Sequence, residues 1–109
     1  MPYDPGLAQR LQEVLLDYPN MVETKMFGGI CYMLNGNMCV GVHKDTLIVR
    51  IGEKQAEKVL QEPHVGPMDL TGKAMKGWAT IQPKAIEDDA HLHRFCKLAI
   101  AFVKTLPQK

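Results

Sequence analysis

Residues 25–51 read KMFGGICYMLNGNMCVGVHKDTLIVRI, three apolar runs separated by two short polar segments. Because successive residues of a strand point to opposite faces of a sheet, this stretch predicts three consecutive antiparallel strands. Nine apolar residues then fall on one face, which we expect to be the core face of the sheet. They are Ile30, Tyr32, Leu34, Met38, Val40, Val42, Leu47, Val49 and Ile51.

The length of the first turn decides which side chains share that face. Leu34 and Met38 lie on the same face only if the turn holds three residues, Asn35-Gly36-Asn37. A two-residue Asn35-Gly36 turn would put half of the apolar set in water, because a slip of one residue turns every following side chain to the other face. The three-residue turn is therefore predicted, followed by a two-residue turn at Lys44-Asp45.

The opposite side of the sheet, which we call the second face, carries Cys31, Met33, Cys39, Gly41, His43, Thr46, Ile48 and Arg50. A solvated face normally alternates apolar with charged or strongly polar residues, and few of these fit that description. Something is therefore expected to cover this face in part, and a second subunit is the simplest candidate. The alternative is that small and sulfur-containing side chains are simply exposed there. The predicted protein-contact residues are Cys31, Met33, Cys39, Ile48 and Arg50.

The motif Lys25-Met26-Phe27-Gly28-Gly29, with the three strands that follow it, resembles the N-terminal domain of the TfoX/Sxy family. That family is named for bacterial regulators of natural competence, and larger members carry a further C-terminal helical domain that we do not expect here. The resemblance covers residues 1–109 as a single domain. It implies a curved antiparallel sheet with helices packed against it, similar to secretion-chaperone and YjbR-like folds. It also implies a regulatory, non-enzymatic role.

The segments around the motif complete an α+β fold of five or six strands and three helices, in the order helix, strands, helix, strands, helix. The predicted helices run from Asp4 to Tyr18, Glu53 to Gln61, and Ile86 or Asp88 to Leu106, and the added strands from Val22 to Phe27, Pro67 to Leu70 and Met75 to Ile81. The second of these strands is expected at a sheet edge because prolines flank it. Gly28-Gly29 is interpreted as a bulge or a close approach of two backbones. Leu60 is expected to face inward, and Leu98 and Ile100 to lie off the core stripe of the last helix.

Composition excludes several classes of protein. The 13 basic and 12 acidic residues give a net charge of +1, without the strong basic patch typical of nucleic-acid binding. No apolar run approaches the ~20 residues that span a bilayer, and the N-terminus does not resemble a signal peptide. Three cysteines without metal-like spacing suit a reducing compartment. We therefore expect a cytoplasmic protein, without cofactor or membrane, that forms a homodimer.

The sequence gives little support for a catalytic site or a metal site. Cys39 and His43 are the best nucleophile and base, but residues four apart on a strand are about 13 Å apart. His91 and His93, two apart on a helix, point in different directions and cannot easily share an ion. No catalytic, cofactor-binding or metal-binding residue is therefore predicted.

The main alternative to a protein-contact role is a nucleic-acid-associated regulator. Its surface would consist of Lys73, Lys76, Trp78 and Lys84, where basic residues lie near the single tryptophan. A cysteine-dependent enzyme is the third hypothesis.

Overall fold

A computed structural model of the chain describes residues 4–26, 29–68 and 76–107. Within these residues the chain forms three α-helices and a six-stranded antiparallel sheet, which confirms the predicted α+β class. The elements are α1 (Pro5–Leu15), β1 (Met21–Met26), β2 (Gly29–Leu34), β3 (Asn37–His43), β4 (Thr46–Arg50), α2 (Glu53–Val59), β5 (Val65–Pro67), β6 (Trp78–Ile81) and α3 (Asp89–Val103), with a 3-10 turn at Pro83–Ile86. The strands lie in the order β1-β2-β3-β4-β6-β5.

The first turn differs from the predicted one. Leu34 pairs with Asn37, so the turn contains only Asn35 and Gly36. Their φ angles of 54° and 81° are the positive values that a type I′ hairpin turn requires. The predicted three-residue turn is therefore wrong.

A β-bulge on β3 allows the short turn without moving Val40 and Val42 of β3 out of the core. Tyr32 pairs with Val40, but Met33 pairs with Met38, so that Cys39 is an extra residue on β3. Cys39 and Val40 are both fully buried in the core. Met38 is consequently on the second face, and its predicted place in the core is wrong.

All three helices contribute to one hydrophobic core on a single face of the sheet. Helix α3 packs across β3 and β4, and α1 packs beside α3. The Asp4 carboxylate caps α1 by accepting a hydrogen bond of 2.9 Å from the Gly6 amide. The buried helical residues are Leu7, Ala8, Leu11 and Leu15 of α1, Ala56 and Val59 of α2, and Leu92, Phe95, Cys96, Ala99, Ile100 and Val103 of α3.

Two details of the helices differ from the predictions. Ile100 is part of the core, because the buried stripe of α3 is wider than the spacing of the other apolar residues indicated. Leu60 is exposed, because α2 ends at Val59 and Leu60 is its C-terminal cap.

The bounds of β5 and β6 differ from those of the predicted strands. Strand β5 is at a sheet edge, as predicted, but it covers Val65–Pro67; Asp69 and Leu70 of the predicted strand are outside the described residues. Strand β6 begins at Trp78, because Gly77 has a φ of 84° and turns the chain. The carbonyl of Gly77 accepts hydrogen bonds from the amides of Ile51 and Gly52, at 2.9 and 3.0 Å.

Within the family motif, Gly29 is at the start of β2 and its backbone lies close to that of β3. A β-carbon on Gly29 would overlap the carbonyl oxygen of Val42. Of the two interpretations of the glycine pair, close approach of two backbones is confirmed at Gly29. Phe27 and Gly28 are outside the described residues.

Candidate functional site

The second face is built from rows of side chains that run across the strands. The middle row crosses all six strands and is composed mostly of small residues. Its members are Thr24, Cys31, Gly41, Ile48, Thr80 and Gly66. Cys31 and Ile48 are only 5 % and 7 % exposed, although neither belongs to the core cluster. The centre of the second face is therefore already well packed within one chain.

The neighbouring row, which we call the outer row, is larger and more accessible. It runs Val22, Met33, Met38, Arg50 and Trp78. Val22, Met33 and Met38 are register partners on β1, β2 and β3, and Arg50 pairs with Trp78 on β4 and β6. Continuing the Val40–Val49 register by one residue places Arg50 opposite Cys39, next to Met38. Val22 is 58 % exposed, and the other four are partly exposed.

Arg50 and Trp78 form a stacked pair within the outer row. The guanidinium carbon is 5.4 Å from the centroid of the indole ring, within the range of a cation–π contact. Trp78 is on the second face because its neighbour Ala79 is fully buried in the core. The pair combines a wide apolar ring with a group that can bind a carboxylate through two parallel hydrogen bonds.

Met38 partly covers the middle row. Its terminal methyl group is 3.1 Å from the position that a β-carbon on Gly41 would take, and the Cys31 sulfur is 3.6 Å from that position. Met38 therefore lies over the glycine of the middle row. A long, unbranched thioether adapts its shape easily, so this part of the surface can change its shape.

The five predicted protein-contact residues fall into three environments. Met33 and Arg50 belong to the accessible outer row. Cys31 and Ile48 are on the second face, as predicted, but are buried in its middle row. The placement of Cys39 on the second face is wrong, because the bulge turns it into the core.

Three members of the outer row were not among the contact residues predicted from the sequence: Val22, Met38 and Trp78. Val22 was identifiable, since it follows from the antiparallel pairing of β1 with β2. Met38 was not, because the bulge that moves it has no signal in the sequence. Trp78 was assigned to a different surface, because its pairing with Arg50 joins strands that are far apart in the chain.

All three thiols are buried, and burial raises their pKa values. The pKa values of Cys39 and Cys96 are raised to about 12, and that of Cys31 is also raised. The positive charge of Arg50 lowers the pKa of Cys39, but burial raises it by more. A nucleophilic cysteine needs the opposite, a lowered pKa. The bulge also separates Cys39, in the core, from the partly exposed His43.

The candidate nucleic-acid residues are not brought together. Lys73 lies outside the described residues, and Lys76 is exposed next to the turn that precedes β6. Trp78 is on the second face, whereas Lys84 lines a groove with His91 and Arg94 of α3, on the helical side of the molecule. Trp78 and Lys84 therefore do not form one surface.

His91 and His93 are exposed on α3. Beside His91, Arg94 forms a bidentate ion pair with Glu62, and the hydrogen bonds from Arg94 hold the pKa of Glu62 below its usual range. Across the described ranges, no cluster of three or more histidine, cysteine or acidic side chains has the arrangement of a metal site.

Among the residues that the structure describes, no helix is both long enough and apolar enough to cross a membrane.

Comparison with protein families matches residues 13–103 to the TfoX N-terminal domain. The match includes all six strands, α2 and α3, and so covers both rows of the second face. Comparisons with curated proteins and with solved structures found no match. The matched residues make up most of the 109-residue chain, and the protein therefore belongs to the TfoX N-terminal domain family.

Proposed function

We propose that this chain is a small, non-enzymatic cytosolic domain that acts by protein–protein contact, in the regulation of competence or transcription. Its docking surface is the outer row of the second face. The protein works as a homodimer, so that each assembly presents two such surfaces. Its buried, free thiols suit a reducing compartment.

The observation that carries the proposal is the composition of the outer row. Three neighbouring apolar side chains, Val22, Met33 and Met38, continue into the stacked pair of Arg50 and Trp78. Methionine, arginine and tryptophan are the residue types enriched at protein interfaces. A partner with an apolar segment next to a carboxylate would match both halves of the row.

Burial within one chain determines which residues a partner can contact. Ile48 and Cys31 have almost no exposed surface left to lose, so binding there would gain little hydrophobic free energy. The partly exposed Met33 and Arg50, with Val22, have such surface. The docking contact therefore centres on the outer row rather than on Ile48.

The test is a comparison of two exposed apolar residues, each replaced by glutamate. Met33→Glu puts a charge in the outer row, whereas Leu16→Glu puts the same charge on a residue that is 45 % exposed at the end of α1. Proteins bound by each variant and by the native chain are quantified from an extract of the source organism. Thermal melting checks that all three chains are folded.

We expect a bound protein that Leu16→Glu retains and Met33→Glu loses. The same protein should bind Arg50→Ala more weakly, because its carboxylate would lose the guanidinium. If native chain and Met33→Glu retain the same proteins in the same amounts, the outer row is not a docking surface.

The nucleic-acid alternative predicts a different result. Binding through phosphates would weaken steeply as salt is added, because the contacts release counterions. Titration of the native chain with duplex DNA at two salt concentrations distinguishes the two proposals. We expect no salt-sensitive complex.

A further inference from the structure

The two edges of the sheet differ in their capacity to bind another strand. At one edge, β5 has only three residues, and one of them is Pro67, which has no amide hydrogen to donate. At the other edge, β1 has six residues, and its pairing with β2 is continuous from Met21 to Met26. Long edge strands without proline or bulge are open to pairing with a further strand.

The direction of the backbone groups of β1 follows from one hydrogen bond. The amide of Asn35 donates to the carbonyl of Asn20, at 3.3 Å, in the same register as the β1–β2 pairing. Hydrogen-bonded and non-hydrogen-bonded pairs alternate along antiparallel strands. Val22 and Thr24 therefore bond to β2, whereas the N–H and C=O groups of Glu23 and Lys25 point away from the sheet. Nothing in the described ranges bonds to these outward groups.

Glu23 and Lys25, whose backbone groups point away from the sheet, carry opposite charges, and both side chains are exposed. A symmetric antiparallel pairing of two β1 strands can use several registers, which differ in the residue that lies on the two-fold axis. With Glu23 on the axis, two glutamates face each other, and with Lys25 on the axis, two lysines do. With Thr24 on the axis, each Glu23 faces Lys25 of the other copy. Like charges directly opposite are destabilising and unlike charges are stabilising, so charge selects the third register.

We propose that β1 is the homodimer contact, with two copies paired edge to edge, antiparallel, and Thr24 on the two-fold axis. Four backbone hydrogen bonds form between Glu23 and Lys25 of the two copies, together with two ion pairs. The two sheets become one of twelve strands, and the two outer rows lie on the same side of it. The inference deepens the homodimer part of the proposed function, and it would hold even if the outer row bound no other protein.

Cysteine cross-linking tests the register. On the axis, the two Thr24 residues would be a non-hydrogen-bonded pair, whose Cα atoms are about 4.5 Å apart, a distance within the range of a disulfide. Thr24→Cys, treated with oxidised glutathione, should therefore give a covalent dimer. Val22→Cys is the matched control, because it lies on the same face of the same strand but is off the axis. Cys31 is the register partner of Thr24 on β2, so both cysteine variants are made in a Cys31→Ser chain, which removes a competing disulfide within one copy. Cys39 and Cys96 are buried in the core and should not react.

Charge exchange tests the contact without a covalent bond. Lys25→Glu places glutamates opposite each other in both pairs, and we expect it to weaken the dimer about tenfold. Glu23→Lys should weaken it similarly, and an equimolar mixture of the two variants should form a heterodimer, since every facing pair is again opposite in charge. Glu57→Lys, on the exposed side of α2, is the control for a general charge effect.

Light scattering on the native chain and on each variant measures the assembly, and circular dichroism checks the fold. Glu23 accepts hydrogen bonds from Tyr32 and Gln12, so Lys25→Glu remains the deciding variant if Glu23→Lys loses stability. A native monomer, or a Val22→Cys chain that cross-links as well as Thr24→Cys, would overturn the proposal. Loss of partner binding in Met33→Glu without a change in mass would leave the dimer intact and concern only the docking surface.

Discussion

Replacing Gly29 by alanine tests how closely β2 and β3 approach each other at the family motif. The added β-carbon would overlap the carbonyl oxygen of Val42. Both atoms are fixed by backbone, so the strands must move apart and weaken the pairing of Ile30 with Val42. Overpacking of this kind typically costs 1–3 kcal/mol. We expect about 3 kcal/mol here, because no flexible side chain can absorb the overlap.

Gly41→Ala is the matched control, since Gly41 is one strand away and also faces a crowded surface. Its added β-carbon would contact the terminal methyl group of Met38 at 3.1 Å. That group is at the end of a flexible side chain and can move. The reduced freedom of the unfolded chain favours alanine by about 0.4–1 kcal/mol, so Gly41→Ala should be close to neutral.

Urea unfolding followed through the fluorescence of Trp78, the single tryptophan, measures both variants. A loss of 3 kcal/mol corresponds to a midpoint lower by about 1.5–3 M for m-values of about 1–2 kcal/mol/M. Equal midpoints for Gly29→Ala and the native chain would refute the close approach. Equal losses in the two variants would show that any β-carbon on these strands is harmful, whatever it contacts.

The pKa shifts lead to three further predictions. Near pH 8, Cys39 and Cys96 should react with a disulfide reagent roughly a thousandfold more slowly in the native than in the unfolded chain, because pKa values of about 12 rather than 9.0 leave very little thiolate. Their burial stabilises the fold fully below about pH 9 and progressively less as the pH rises toward 12, so unfolding titrations should show an alkaline loss of stability. The pKa of Glu62 is lowered by Arg94, so Glu62→Gln should cost under about 1 kcal/mol at pH 7. The loss of stability caused by Glu62→Gln should vanish as the pH falls through the native pKa of Glu62. A loss at pH 3 as large as that at pH 7 would contradict this prediction.

The sequence predicted the class and order of the fold because its strongest patterns are local. Alternation defines β2, β3 and β4, and the spacing of apolar residues defines α1 and α3. Asp4 and Asp88 cap these two helices by accepting hydrogen bonds from Gly6 and Ala90. These features depend on residues close together in the chain, where propensity and capping act directly.

The candidate site was harder to predict, because it depends on pairing between distant residues. Counting alternate residues along the chain, from Ile30 in β2 and from Leu47 in β4, assigns the side chains of these two strands to the correct faces of the sheet. The same counting fails only on β3, at Met38 and Cys39, where the effects of a short turn and of a β-bulge cancel. A favourable Asn35-Gly36 turn shifts the register by one residue, and the bulge restores it.

The same compensation also shapes the proposed docking surface. With a three-residue turn, Cys39 would have been on the second face and Met38 in the core. The bulge exchanges them, so that a small thiol lies in the core near Cys96 and a flexible methionine joins Val22 and Met33 on the surface. The turn that stabilises the hairpin thus also determines that the outer row is continuous from the free edge of β1 to the stacked pair of Arg50 and Trp78. The proposed docking surface and the proposed dimer edge would meet at Val22, so a partner bound on the outer row would lie beside the second copy.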